Sequence, residues 1–215
     1  MNLVGTIHTP GGFAAARKAE KIVDLAEVRA DHLGIELCRA EMPLLKVPAI
    51  LTVRREDEGG AKSYAHGERL AAYEELLPDA AAIDIELRSA KELEPVIRRA
   101  KKSRVAVILS YHDFEATPSL RKLRETIRKA RDAGADIPKI ATLLKTPSDV
   151  ARLLEAFDSA GPIALMGMGA LGRASRLLLA QAGSALNYGW LHKPQVSGQW
   201  SAAELRRILD RLAQI

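Results

Sequence analysis

Eight short β-type runs, spaced along the whole chain and mostly separated by stretches of helical periodicity, restrict the possible folds more than any other feature of the sequence. The runs are Leu3–Ile7, Asp24–Arg29, Pro48–Val53, Ala82–Glu86, Val105–Ser110, Ile137–Ala141, Ile163–Met166 and Ala185–Tyr188. Amphipathic stretches at Tyr64–Leu77, Leu93–Lys102, Leu120–Ala133 and Val150–Phe157 lie between them. Thr117-Pro118-Ser119 and Thr146-Pro147-Ser148-Asp149 read as helix starts with proline in the first turn, and Ser201 with Glu204 as a capping box opening the last helix. Strands that alternate with helices are parallel, because parallel neighbours need a crossover. A closed (β/α)8 TIM barrel is expected over an open doubly wound sheet, since the count is eight and no unit reads as an edge. At 215 residues the barrel is compact. Its second unit is shortened, with Leu33–Glu41 offering at most a short helix, and no leading hairpin caps the floor. With no linker or low-complexity stretch, residues 1–215 are expected to form one catalytic domain.

Composition narrows the partners. The net charge of +5 is mild and suits an anionic small molecule. Nucleic acid is not expected: aromatic residues make up 4% of the chain, and basic runs such as Arg121-Lys122-Leu123-Arg124-Glu125 read as solvated helix faces. The single cysteine, Cys38, excludes an internal disulfide framework and reads as a small buried hydrophobe. No apolar run is long enough for a membrane span. Structure is expected from Met1-Asn2-Leu3 onwards, leaving no room for a signal peptide, so the expected location is cytoplasmic.

Lys139 stands out within this frame. It lies in the apolar run Ile137-Pro138-Lys139-Ile140-Ala141, where an isolated charge costs several kcal/mol unless it is paired, neutralised or used. An amine that is readily neutralised attacks ketones, which suggests Schiff-base chemistry. The alternative is a strand-end lysine that snorkels or pairs with Asp84 or Glu86. Barrel chemistry sits at the C-terminal ends of the strands, where residues two apart share a face. Glu27 and Arg29, Asp84 and Glu86, and Ser110 and His112 have that spacing, with Arg54 closing the third strand. Each alone reads as a salt bridge, but together they converge on one mouth.

These segments resemble the type I 3-dehydroquinate dehydratase family over nearly the whole chain. The resemblance rests on Leu25-Ala26-Glu27-Val28-Arg29-Ala30-Asp31-His32, Thr52-Val53-Arg54 with Glu58-Gly59-Gly60, and Asp84-Ile85-Glu86-Leu87. It continues through Tyr111-His112-Asp113-Phe114, Thr117-Pro118, the Lys139 block, Ser175-Arg176-Leu177 and Ser197-Gly198-Gln199. The resemblance implies dehydration of 3-dehydroquinate to 3-dehydroshikimate in the shikimate pathway, towards chorismate and aromatic amino acids. It also implies no metal or other cofactor, and a homodimer. Lys139 would form the Schiff base, His112 would act as general base and acid, and Glu58 would orient that histidine. Glu27 and Arg29 would hold ring hydroxyls, Arg54 would line the site and Arg176 would clamp the carboxylate. Gln195 and Gln199 would belong to a lid after the eighth strand. One histidine serving both steps implies elimination from one face of the ring.

The sequence departs from the family at Gln195, where serine is usual, and at Ser197, where proline is usual. Gly167-Met168-Gly169-Ala170-Leu171-Gly172 matches GxGxxG, but no acidic residue follows before Glu204. An anion-binding turn serving the substrate carboxylate is the expected reading, with Arg173 assigned to the surface. A metal site from Glu27, Asp84, Glu86 and His112 is not expected, because a lysine in the mouth competes with a cation. His32, His66 and His192 are expected to be surface or satisfied polar residues, and Asp113 and Glu115 to fix the loop around His112. Two other functions fit the same barrel: another Schiff-base enzyme of aldolase type, and a ligand-binding homologue with impaired turnover.

Overall fold

A computed structural model describes residues 1–65, 67–157, 160–195 and 198–214. Eight parallel strands are present: β1 (Asn2–Ile7), β2 (Leu25–Arg29), β3 (Ala49–Thr52), β4 (Ala82–Glu86), β5 (Ala106–Asp113), β6 (Ile137–Leu143), β7 (Ala164–Met168) and β8 (Leu186–Trp190). They pair in the order β7-β6-β5-β4-β3-β2-β1-β8. Helices α1 (Pro10–Lys18), α2 (Ala30–Leu33), α3 (Ile35–Glu41), α4 (Glu68–Leu76), α5 (Glu94–Lys102), α6 (Leu120–Asp132), α7 (Pro147–Glu155), α8 (Gly172–Gln181) and α9 (Ala202–Leu212) make the crossovers and close the chain. This is the expected (β/α)8 barrel.

The ring is held differently at its last seam. Among the described residues no ladder joins β7 to β8, and one backbone bond, Ala185 N to Ile163 O at 2.8 Å, links them just before both strands begin. The buried Ser184 hydroxyl stands in for the missing ladder. It accepts from Leu165 N at 3.0 Å and lies 3.2 Å from Leu165 O and 3.1 Å from Leu186 O. At the other end of the seam, Arg176 donates to Tyr188 O at 3.0 Å.

Alternation along each strand divides the barrel interior into two levels. Val4, Ile50, Ala82, Ile108, Ala164 and Leu186 fill the floor as one apolar cluster. Two residues further along, the same inward face carries Thr6, Thr52, Asp84, Ser110, Met166 and Tyr188, so polarity enters at the C-terminal half. Register then aligns the levels: Lys139 lies beside Ser110, and Ser110 beside Glu86. A larger core, including Leu51, Ile83, Ile85, Leu76 and Leu93, packs the outer faces of the strands against the helices.

The observed elements differ from the sequence reading at their ends. β5 runs past Ser110 to Asp113 and β6 to Leu143, because His112 pairs in register with Ala141 and Asp113 with Thr142. The polar ends of these strands break the apolar pattern, so the reading stopped short. α4 begins at Glu68, not Tyr64; Gly67, at φ 85°, precedes it, and Glu68 accepts from Ala65 N at 2.7 Å. The second unit holds two short helices, split at Gly34 with φ 82°. The expected capping box opens α9, where Ser201 accepts from Glu204 N at 3.2 Å, and Pro147 lies in the first turn of α7 as expected. By contrast, α6 is capped by Ser119, which accepts from Lys122 N at 3.3 Å, so that Pro118 precedes the first turn. Cys38 is buried, which pushes its thiol up to about 12 and leaves it a small hydrophobe.

Candidate active site

A cavity of about 330 Å³ opens at the C-terminal ends of the strands and includes all nine candidate residues in its lining. Lys139 is buried in this lining. Its Nζ lies 2.7 Å from Asp84 Oδ2 and 3.6 Å from Glu27 Oε1, and 4.1 Å from the centre of the Tyr188 ring. The anticipated pairing with Asp84 is therefore present. Glu86 instead serves Arg54 and Arg69.

Buried ion pairs fix the geometry around that lysine. Arg54 reaches Asp84 Oδ1 at 2.9 Å, Glu86 Oε1 at 3.2 Å and the Ser110 hydroxyl at 2.7 Å. Burial alone would push the Asp84 carboxyl up, but Arg54 and Lys139 outweigh it and hold the group far below the usual carboxylate range. Asp84 is thus shared between two cations. Behind this layer, α4 supplies Tyr73, whose hydroxyl accepts from Val53 N at 3.1 Å and donates to Asp84 O at 2.6 Å. One turn earlier, Arg69 binds Glu86, Val53 O and Ser89. The sequence reading missed both residues. A buried arginine and tyrosine four apart on a helix's inner face were the available signal.

His112 and Glu58 form the second unit of the site. Glu58 ends a single 3-10 turn (Glu56–Glu58) that Gly59 terminates at φ 83°. Gly60 follows because a Cβ there would lie 2.3 Å from Arg54 O. The turn delivers Glu58 Oε2 to His112 Nδ1 at 3.0 Å, leaving Nε2 as the nitrogen free for chemistry. The His112 side chain is 11% exposed. Burial, aided by Arg54 and Lys139, pushes its imidazole well below the ordinary value, with Asp84 opposing. Burial and Glu86 push Glu58 up to about 7, against Arg54 and Arg88. Arg88 contacts Glu58 Oε1 at 2.8 Å from the solvent side, a contact the sequence reading did not anticipate. Asp113 accepts from Glu115 N at 3.0 Å and Ala116 N at 2.9 Å, fixing the loop as expected. Glu115 is exposed and contributes its backbone amide there.

Two arginines complete the lining in different ways. Arg29 is held by Asp31 at 2.9 and 2.7 Å and by Gly59 O at 2.9 Å. Glu27 beside it accepts from the Thr52 hydroxyl at 3.2 Å. Arg176 is buried on α8 and makes no ion pair among the described residues, and its Nε has no hydrogen-bond partner. Burial brings its guanidinium down to about 10. An uncompensated buried cation is costly, and a carboxylate in the cavity would relieve it.

Around this cavity the lid and turn expectations meet. Gln195 N donates to Gln199 Oε1 at 3.1 Å, and the Gln195 amide lies 3.3 Å from His32 Nε2. His32 therefore stands on the cavity rim, in contact with Gln195, as well as being exposed. Gly198, at φ 77°, packs against the turn after β7, where a Cβ would come within 2.4 Å of Gly169 O. Arg173 lies outside the cavity, exposed and 4.8 Å above the Trp200 ring. His192 is bound to the Thr9 hydroxyl at 3.0 Å. Ser197 and His66 lie outside the described residues. Among those residues no group of three or more His, Cys, Asp or Glu side chains is arranged to hold a metal, and no helix is long and apolar enough to cross a membrane.

Comparisons with known proteins identify the family. The model of the Type I 3-dehydroquinase family matches residues 12–215. A 3-dehydroquinate dehydratase of Methanococcoides burtonii is 31% identical over 202 residues, spanning 90% of this chain and 87% of that protein. The 3-dehydroquinate dehydratase of Aquifex aeolicus has a structure with TM-score 0.89 at 29% identity, covering 100% of both chains. The type I enzyme of Clostridium difficile, solved with covalent modified comenic acid, gives TM-score 0.89 at 28% identity, covering 99% of this chain and 92% of that one. The chain belongs to the type I 3-dehydroquinase family of hydro-lyases.

Proposed function

We propose that this barrel dehydrates 3-dehydroquinate to 3-dehydroshikimate through an imine on Lys139. The observation that carries the reading is the placement of a buried lysine and a carboxylate-paired histidine in one cavity, with an unpaired arginine opposite. Lys139 Nζ adds to the C3 carbonyl, the carbonyl oxygen leaves as water, and an iminium remains. The iminium draws electrons from C2, and His112 Nε2 takes the C2 proton while its Nδ1 proton is held by Glu58. The electron pair becomes an enamine, which expels the C1 hydroxyl as His112 returns a proton to it. Water then cleaves the new iminium and restores the lysine. Proton transfer by one positioned group contributes about 10²–10⁴-fold, and Glu58 at about 7 is matched to neutral-pH exchange with its partner.

Arg176 is the carboxylate anchor in this reading, because its buried charge has no protein counter-ion among the described residues. Glu27 and Arg29 hold ring hydroxyls, and Gln195 and Gln199 close from above. Arg54 keeps Asp84 from being devoted to Lys139 alone. The finer expectations of a homodimer and a cytoplasmic location belong to the same proposal, and equilibrium sedimentation tests the first.

Reduction with borohydride in the presence of substrate is expected to add the reduced ligand's mass at Lys139, as read by peptide mass spectrometry. Lys139→Ala is expected to lose the adduct and at least about 10³-fold in kcat. Turnover retained in that variant, with no adduct in the parent protein, would sink the mechanism.

A further inference from the structure

Tyr188 brings a polar group into the cavity that the scheme above does not use. It is an inward residue of β8, 4% exposed, and Lys139 Nζ lies 4.1 Å from the centre of its ring. The ring alone would make it an apolar wall, and part of it does pack with Met166, Met168 and Leu186. Its hydroxyl, however, is buried without a hydrogen-bond partner among the described residues. Such a group costs about 1–3 kcal/mol when left unmade, and cores use tyrosine where the hydroxyl can reach a partner. Of the charged groups that act on it, Glu27, Arg54 and Arg176 line the cavity, as does Lys139 over its ring. Burial, with Glu27 and Asp84, pushes the phenol well above its ordinary value, so it stays a protonated donor. Asp84 and Arg54 are engaged with each other and Glu27 with Thr52, which leaves the cavity as the direction for this donor.

We propose that the Tyr188 hydroxyl donates a hydrogen bond to a substrate oxygen borne on the carbon next to the one that Lys139 attacks. The stacking of Nζ over the ring favours that choice: an atom joined to Nζ is held near the same ring, which brings an oxygen on its neighbour within reach. Tyr188 is then a specificity residue for a polyhydroxylated ring, additional to Glu27 and Arg29, and its role rests on the imine reading only for the identity of the carbon.

Tyr188→Phe tests this with the packing kept. Expected are a rise of about three- to tenfold in KM for 3-dehydroquinate and in Kd for quinate by calorimetry, the worth of one neutral hydrogen bond. A group that binds ground and transition states alike leaves kcat nearly unchanged. The thermal midpoint of the ligand-free variant is expected to equal or exceed that of the parent, because an unmade donor has been removed. Wild-type KM and Kd in the variant would overturn the proposal. So would an affinity loss accompanied by a lower ligand-free midpoint, which marks a structural role. Quinate lacks the ketone, so its binding reports on Tyr188 even if borohydride finds no adduct at Lys139.

Discussion

Arg88 reaches the His112–Glu58 pair from outside the cavity, and its influence is separable from the chemistry. It is half exposed, binds Glu58 Oε1 at 2.8 Å, and shares Asp57 with Arg55. Its charge favours the Glu58 carboxylate, the form that accepts the Nδ1 proton and leaves Nε2 as a base. Arg88→Ala therefore raises Glu58 further, so more of the pair is protonated at a given pH. We expect kcat/KM to fall about two- to fivefold at pH 6, the range for an exposed ion pair, and to recover by pH 8.5. A pH–rate profile superimposable on the parent's would overturn this. Arg88 illustrates what the sequence leaves hidden. Lys139 was legible because a charge in an apolar strand breaks a pattern, and His112 because it lies two residues from Ser110 on one strand face. Arg88 and Tyr188 break no local pattern, and Arg69 signals itself only through its spacing from Tyr73 on α4. Their roles arise from contacts across 30 or more residues for Arg88 and across a helix–strand interface for Arg69.

At the scale of elements, the β7–β8 seam is the weak joint of the barrel. Seven of the eight junctions are ladders, whereas this one depends on Ser184 and Arg176. Ser184→Ala leaves the buried Leu165 amide without its partner, which costs about 1–3 kcal/mol. Urea unfolding is expected to show that loss with an unchanged m-value, and a difference under about 0.5 kcal/mol would mean the strands re-pair directly. Arg176 sits on the same seam, so its position is coupled to closure as well as to its helix. The eight strands were legible because a repeated apolar run bounded by helix signals is a strong period. Their ends were not, since β5 and β6 continue into the polar residues that form the site. The helix α1 was not singled out because Gly11 and Gly12 dilute its pattern. The unladdered seam has no sequence signature, since a serine before a strand looks like any turn residue.

For the whole molecule, the alternation that made the fold legible also explains the site: the inward face is apolar below and, on every strand but β7, carries polar or charged residues above. Packing so many charges into a buried layer couples the site to folding, and the coupling has a sign. Between about pH 4.5 and 6.5 the unfolded chain carries an ionised Glu58 and a protonated His112. In the fold, Glu58 keeps its proton up to about 7 and His112 is pushed well below its ordinary value by burial, Arg54 and Lys139. Each state therefore holds one proton on the pair, and the pair contributes almost no slope to stability. Separately the two groups act in opposite directions. Raised Glu58 loses stability as pH climbs from 4.5 to 7, while depressed His112 gains it as pH climbs to 6.5. Glu58→Gln removes the first and exposes the second. Relative to the parent, its unfolding free energy is expected to rise with pH between 5.0 and 6.3 by up to about 1.4 kcal/mol per pH unit. His112→Gln is expected to tilt the other way. Guanidinium unfolding of the three proteins at both pH values measures the slopes, and other titrating groups cancel in the differences. Parallel slopes for all three would mean that Glu58 and His112 titrate in the fold as they do in the unfolded chain. The buried pair would then store no opposing preferences, and its fit to neutral-pH proton exchange would need another origin.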